Sequence, residues 1–111
     1  MKPGFAFLIL LAAAVLEAGG DAIIRRGLHS DALWPRAALI IGGGLVLTLY
    51  GVVVNLPPWD FGRLLGVYVT LFFVVAQIIN RVAFGIAPST PILLGGTLIV
   101  AGCLLMTFWR A

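Results

Sequence analysis

The sequence predicts an all-α membrane protein with four transmembrane helices, and three observations carry that reading. Of its 111 residues, 62% are hydrophobic and 10% charged, with a mean hydropathy of +1.17, whereas a soluble domain carries about 25% charged residues. The apolar residues gather into four runs separated by short polar or proline-rich stretches, each near the roughly 20 residues that a bilayer demands. None of these runs alternates polar and apolar residues, as the strand of a membrane barrel would. Residues 1–111 therefore read as a single four-helix transmembrane domain with tight loops, with nothing left over for a soluble domain.

The first run spans about 3–24. Pro3 suits a first helical turn, where its missing N–H costs nothing, and Arg25-Arg26 close the run. A secretory signal is the alternative, with Lys2 as its charged region and Phe5–Leu16 as its apolar stretch. It is disfavoured, because no small-x-small cleavage site leads into a polar chain and three more apolar runs follow. After the polar loop Gly27–Asp31, the second run spans about 35–55, opened by Trp34-Pro35. Trp34 reads as an anchor at the membrane interface. The segment Pro57-Pro58-Trp59-Asp60 is a turn that no helix passes through. The third run spans about 61–80 and stops at Arg81. A loop with Gly85 and Pro88 leads into the fourth, about 89–108, with Trp109 and Arg110 anchoring its end.

The charged residues narrow the possible partners. The formal charge of +3 rests on seven basic residues that sit almost entirely between the apolar runs, where anionic headgroups attract them. No single element carries a basic stripe, so nucleic acid is not an expected partner. Cys103 is the only cysteine and has no ligand-spaced neighbour, so neither a disulfide framework nor a metal site is expected. No cofactor is expected either. One loop histidine and no nucleophile–base pair leave enzyme chemistry without a foundation.

The exception to the apolar pattern is Ala12–Arg26, AAAVLEAGGDAIIRR. Glu17, Asp21 and Arg25 are spaced by four residues and share one helical face. Leu10, Ala13 and Ala14 lie on the same side upstream, and Gly20 sits between the acids. An ionisable group in the middle of a span is costly and marks a functional site by default. Glu17 is therefore the candidate centre, with Ala13, Gly20 and Asp21 beside it. Asp21 is expected nearer the loop, held ionised by Arg25 as a simple pair.

Other runs offer walls for such a site. In the second, Gly44, Thr48, Gly51 and Asn55 share a face that reads either as close helix packing or as a flexible cavity wall. In the third, Gly62, Gly66, Thr70, Phe73 and Gln77 form a stripe whose small residues signal packing. Tyr68 lies on another side, near Leu64, Leu65, Phe72 and Val75. A phenol in a span wants a hydrogen-bond partner and its ring attracts cations, so Tyr68 reads as a bundle residue or as a substrate contact. In the fourth, Gly95 and Gly102 stack on one face and allow close approach, either across a dimer or within one subunit.

With four spans the termini share a side. Lys2, Arg63 and Arg110 fall on that side, and Arg25, Arg26, Arg36 and Arg81 on the other. Orientation follows the Lys/Arg difference, here three against four. One reading is a single, weakly specified orientation. The other, favoured by the near balance, is insertion both ways.

Taken together, these residues resemble the small multidrug resistance superfamily. The resemblance is carried by Leu16-Glu17-Ala18 in the first span, Trp34-Pro35 opening the second, Gly62 opening the third, and Leu93–Gly102, LLGGTLIVAG, in the fourth. Gly62-Arg63 with Tyr68 six residues on is most similar to the YnfA-like branch. The likeness covers essentially the whole chain. It implies a homodimer, often antiparallel, in the bacterial inner membrane, exporting small or lipophilic organic cations in exchange for protons. It also implies that Glu17 binds both, with Tyr68 at the position of the family's aromatic residue. This chain departs from the pattern in three places. Tyr68 replaces a tryptophan common in the drug-exporting branch. Asp21 stands where many relatives carry a small hydroxyl. Val69-Thr70-Leu71-Phe72 occupies the place of a glycine-centred bend.

The chemistry supports exchange independently of the resemblance. A carboxyl group removed from water favours a bound proton or a paired cation over a bare charge. A site that takes one or the other, never both, couples their fluxes. Two readings compete with cation export. One is a non-transporting assembly subunit whose Glu17 pairs with a base on a larger partner. The other is a transporter of another class, for guanidinium, polyamines or lipid-linked compounds.

Overall fold

The computed structural model describes residues 2–109. It contains four helices, α1 (Pro3–Leu28), α2 (Leu33–Val54), α3 (Phe61–Phe84) and α4 (Thr90–Phe108). Each is long and apolar enough to cross a membrane. Arg110, expected to anchor the end of the last span, lies outside the described residues.

Local chemistry sets the helix ends. Pro3 opens α1, where a residue without an N–H is tolerated. The Asp60 carboxylate accepts the backbone N–H of Arg63 at 2.9 Å and caps α3, which supplies one of the orphan donors of a first turn with a partner. Gly85 ends α3 with φ at 68°, a left-handed conformation that residues with a Cβ resist. The Ile86 N–H then donates back to the Asn80 carbonyl at 3.1 Å.

Two helices run further than their apolar runs. Helix α1 continues through Arg25 and Arg26 to Leu28, and α3 continues through Arg81 to Phe84. The arginines therefore do not stop the helices, as the runs 3–24 and 61–80 suggest. A cation in a last helical turn suits the negative end of the helix dipole, and its long stem lets the charge reach the interface. Helix α2 begins at Leu33, so Trp34 and Pro35 stand in its first turn, and Trp34 is exposed.

The helices pack in the order α2, α1, α3, α4, with α1 against both α2 and α3, and α4 against α3 alone. Glycines set the spacing between α1 and α2. A methyl group built on Gly43 would lie 2.5 Å from Ile24 Cγ1 and 2.9 Å from the Gly20 carbonyl oxygen. One on Gly20 would lie 2.8 Å from Leu47 Cδ2. The packing face of α2 thus runs through Gly43, Leu47 and the buried Val54. The sequence-derived face of Gly44, Thr48, Gly51 and Asn55 points elsewhere. Gly44 and Gly51 have open space at their Cβ positions. Thr48 and Asn55 donate to carbonyls of their own helix, Gly44 at 3.0 Å and Gly51 at 2.7 Å.

The stripe on α3, by contrast, is where α4 docks. Gly66 meets Met106, Phe73 meets Gly96, and the Thr70 hydroxyl donates to the Ile99 carbonyl at 3.4 Å. Gly95 and Gly102 have no neighbours at their Cβ positions within the subunit. The glycine that α3 uses on α4 is Gly96. Much of the core lies between α1, α2 and α3 and includes Leu10, Ala13, Ala14, Ala18, Leu64, Val67 and Tyr68.

Candidate functional site

Glu17 stands on α1 about 14 residues after its start, or roughly 21 Å along an axis that rises about 1.5 Å per residue. That is close to mid-span. The Tyr68 hydroxyl donates to Glu17 Oε1 at 2.8 Å, an ordinary length for a hydroxyl-to-carboxyl hydrogen bond. Tyr68 is 3% exposed, so its phenol is fixed in the core. The residue pair that the sequence left as separate candidates is thus one unit bridging α1 and α3.

Two further rings enclose Tyr68. Tyr50, from α2, lies 5.7 Å from it, centre to centre, with the planes tilted by 30°. Phe72, one turn along α3, lies at 6.2 Å with a tilt of 33°. Three helices therefore contribute to one cluster of a carboxyl group and aromatic rings. Such rings attract cations through their negative faces, most strongly where water is excluded. Tyr50 was not singled out from the sequence. The available signal was its place seven residues beyond Gly43 and four before Val54, on the true packing face of α2.

Beside this cluster an open groove of about 630 Å³ runs between α1 and α3 toward their C-terminal ends. Ala18 and Phe72 line its deep end, Asp21, Ala22, Gln77 and Asn80 its middle, and Arg25, Phe84 and Ile86 its mouth. Asp21 does lie nearer the loop than Glu17, as expected. The expected Asp21–Arg25 pair does not form among the described residues. The Arg25 guanidinium instead sits 5.9 Å from the Phe84 ring centre, and Arg26 approaches the same ring at 5.3 Å. A neighbour on α3 thus outcompetes the pairing available within α1. Arg26 also donates to the Ala83 carbonyl.

The remaining candidates divide plainly. Ala13 is fully buried in the core, and Gly20 is consumed by the contact with α2. Both shape the surroundings of Glu17 without facing the groove. Thr48 is exposed and bonded to its own helix, so the structure does not bring it to Glu17. At the opposite end of the bundle, Trp59 packs edge-on against Phe7 at 5.7 Å, and the Arg63 guanidinium lies 5.8 Å from the Trp59 ring.

Comparison with known proteins returns relatives of one kind, each called a UPF0060 membrane protein. The relative from Clostridium perfringens is 33% identical, covering 97% of this chain and 94% of its own. That from Mycolicibacterium gilvum is 32% identical over 91% and 92%. That from Saccharopolyspora erythraea is 32% identical over 86% and 84%. No protein-family model matches the chain. No solved structure matches it either.

Proposed function

The chain belongs to the UPF0060 membrane protein family, and from that premise we propose that it is a proton-coupled exporter of small or lipophilic organic cations. The relatives and the four apolar helices make it a multi-pass membrane protein. Its kinship with the small multidrug resistance transporters, its homodimeric state and its place in the bacterial inner membrane are parts of the proposal. The observation that carries it is the Glu17 carboxyl group at mid-span, bonded to Tyr68 and attended by the Tyr50 and Phe72 rings.

Among the described residues Glu17 has no ion-pair partner. In a membrane interior a carboxylate without a cation is costly, so the group holds either a proton or a bound cation. The hydroxyl of Tyr68 fixes the orientation of the carboxyl group, and the rings supply a second attraction for a cation. Proton and cation compete for the same oxygens, so release of one accompanies capture of the other. In an antiparallel dimer two copies of Glu17 would share a cavity about a two-fold axis in the membrane plane, the symmetry of inverted-repeat transporters.

The assembly-subunit reading is weaker on the same observation. Glu17 is already oriented by a bond inside its own chain, and a bound proton alone leaves it neutral in the span, so no base from a larger complex is required. The test is Glu17→Gln, which keeps the size and removes the charge. In liposomes with a pH gradient, the variant is expected to lose cation-driven proton flux while remaining a folded dimer. Full exchange by the Gln variant would refute Glu17 as the coupling group.

A further inference from the structure

The groove leading from the Glu17 cluster to the bundle end has no part in the exchange step just described. Two of its lining groups carry opposite charges and do not pair. Asp21 stands in the middle, while the Arg25 guanidinium lies against the Phe84 ring at 5.9 Å. Arg25 and Phe84 also line a second pocket of about 620 Å³, which reaches His29 and Ser30 beyond the span. Their contact is therefore the partition between the deep groove and the outer pocket. Arg26, on the same ring at 5.3 Å and bonded to the Ala83 carbonyl, holds the partition to the end of α3.

A ring face that receives a guanidinium can receive another organic cation, since the attraction depends on charge and fit rather than on the particular group. Asp21, one turn from Glu17 on the same face of α1, supplies the counter-charge. The side-chain amides of Gln77 and Asn80 supply acceptors across the groove. A cation seat is thus complete, and in this conformation a cation of the chain itself occupies its aromatic part.

We propose that this groove is a loading site for the organic cation, centred on Asp21 and the Phe84 ring, which Arg25 occupies as a tethered competitor until the substrate displaces it. The proposal rests on the exporter reading and adds a second station, one helical turn nearer the surface than Glu17. Displacement of Arg25 joins the outer pocket to the groove, so capture of the cation and opening of the path are one event.

Equilibrium binding of tetraphenylphosphonium to the purified full chain in detergent tests this, with Glu17→Gln as the background so that only the groove is read. Binding should persist there. Arg25→Gln should tighten it about 2- to 5-fold, the equivalent of one cation–π contact at an exposed site. Asp21→Asn and Phe84→Leu should each weaken it by a similar factor. Opposite signs from variants lining one groove separate the effect from a general loss of fold. As a second measure, in a Cys103→Ala background, Ala22→Cys should react faster with a cationic thiol reagent once Arg25→Gln is added, and more slowly with tetraphenylphosphonium present. No binding in the Glu17→Gln background, no tightening by Arg25→Gln, or a labelling rate insensitive to both changes overturns the loading site. The exporter reading fails on a different result, the absence of proton-coupled flux by the wild-type chain in liposomes.

Discussion

Tyr68→Phe isolates one hydrogen bond. The substitution keeps the ring, and with it the contacts to Tyr50 and Phe72 at 5.7 and 6.2 Å. What it removes is the hydroxyl that meets Glu17 Oε1 at 2.8 Å. In soluble proteins a hydrogen bond to a charged group contributes about 1.5–3 kcal/mol. Between membrane helices the measured average is nearer 0.6 kcal/mol with a maximum of about 1.7, because the separated helices find other partners. The smaller range applies here, since Glu17 lies in a membrane span and is only half-buried. The coupling between Tyr68→Phe and Glu17→Ala in a double-mutant cycle should therefore be about 0.6–1.7 kcal/mol, or about 3- to 20-fold in the unfolding constant. Unfolding of the helices by titrating SDS into mild micelles provides the readout. Thr70→Val serves as the control. Its hydroxyl bonds the Ile99 carbonyl on the other side of α3 and should add independently of Glu17→Ala. A Glu17–Tyr68 coupling no larger than the roughly 0.3–0.5 kcal/mol scatter of independent sites, or one matched by the Thr70 control, would refute the bond as the link between α1 and α3.

Gly43→Ala should destabilise the subunit by about 1–3 kcal/mol, the usual cost of overpacking, because its methyl meets Ile24 and the Gly20 carbonyl at 2.5 and 2.9 Å. Gly44→Ala, which points into open space, should not, and equal effects in the same SDS titration would contradict the packing face of α2. Gly102→Leu has room within the subunit, so it should leave subunit folding intact while lowering the dimer fraction in detergent sizing; an unchanged dimer fraction places the contact elsewhere. Two lysines added beside Lys2 should bias insertion toward cytoplasmic termini, lowering exchange by that variant alone and restoring it with an oppositely biased partner. Full exchange by the biased variant alone, or single-sided labelling of the wild type, would refute dual insertion.

The sequence made four spans legible because length and hydropathy decide them, and it made Glu17 legible because a lone acid in such a run has no ordinary explanation. Tyr68 followed from the chemistry of a phenol in a span. What stayed hidden was angular. A helix that is apolar all round gives no period from which to choose its inner face. The face of Thr48 and Asn55 reads from the sequence as close packing or as a cavity wall, yet both residues satisfy themselves on their own helix. The inner face lies about 100° away, one residue earlier in register, and that offset also concealed Tyr50. The Asp21–Arg25 pair failed for a related reason. The four-residue spacing rule describes one helix in isolation, whereas Phe84 reaches Arg25 only once α3 has packed on α1.

The acid stands where three helices meet, because α1 packs against both α2 and α3. Tyr50 and Tyr68 come from those two helices, and their rings meet 5.7 Å apart only if both helices approach α1 closely. Ala13, Ala14, Ala18 and Gly20 make that approach possible, being small and buried along its length, since small residues let helix backbones come together in a membrane. Branched side chains there would hold α2 and α3 away and take the Tyr68 hydroxyl out of reach of Glu17. The small face first noticed around the acid is thus less the lining of a site than its cause. It brings the phenol to the carboxyl group, while the groove itself opens where Asp21, Gln77 and Asn80 replace that close packing.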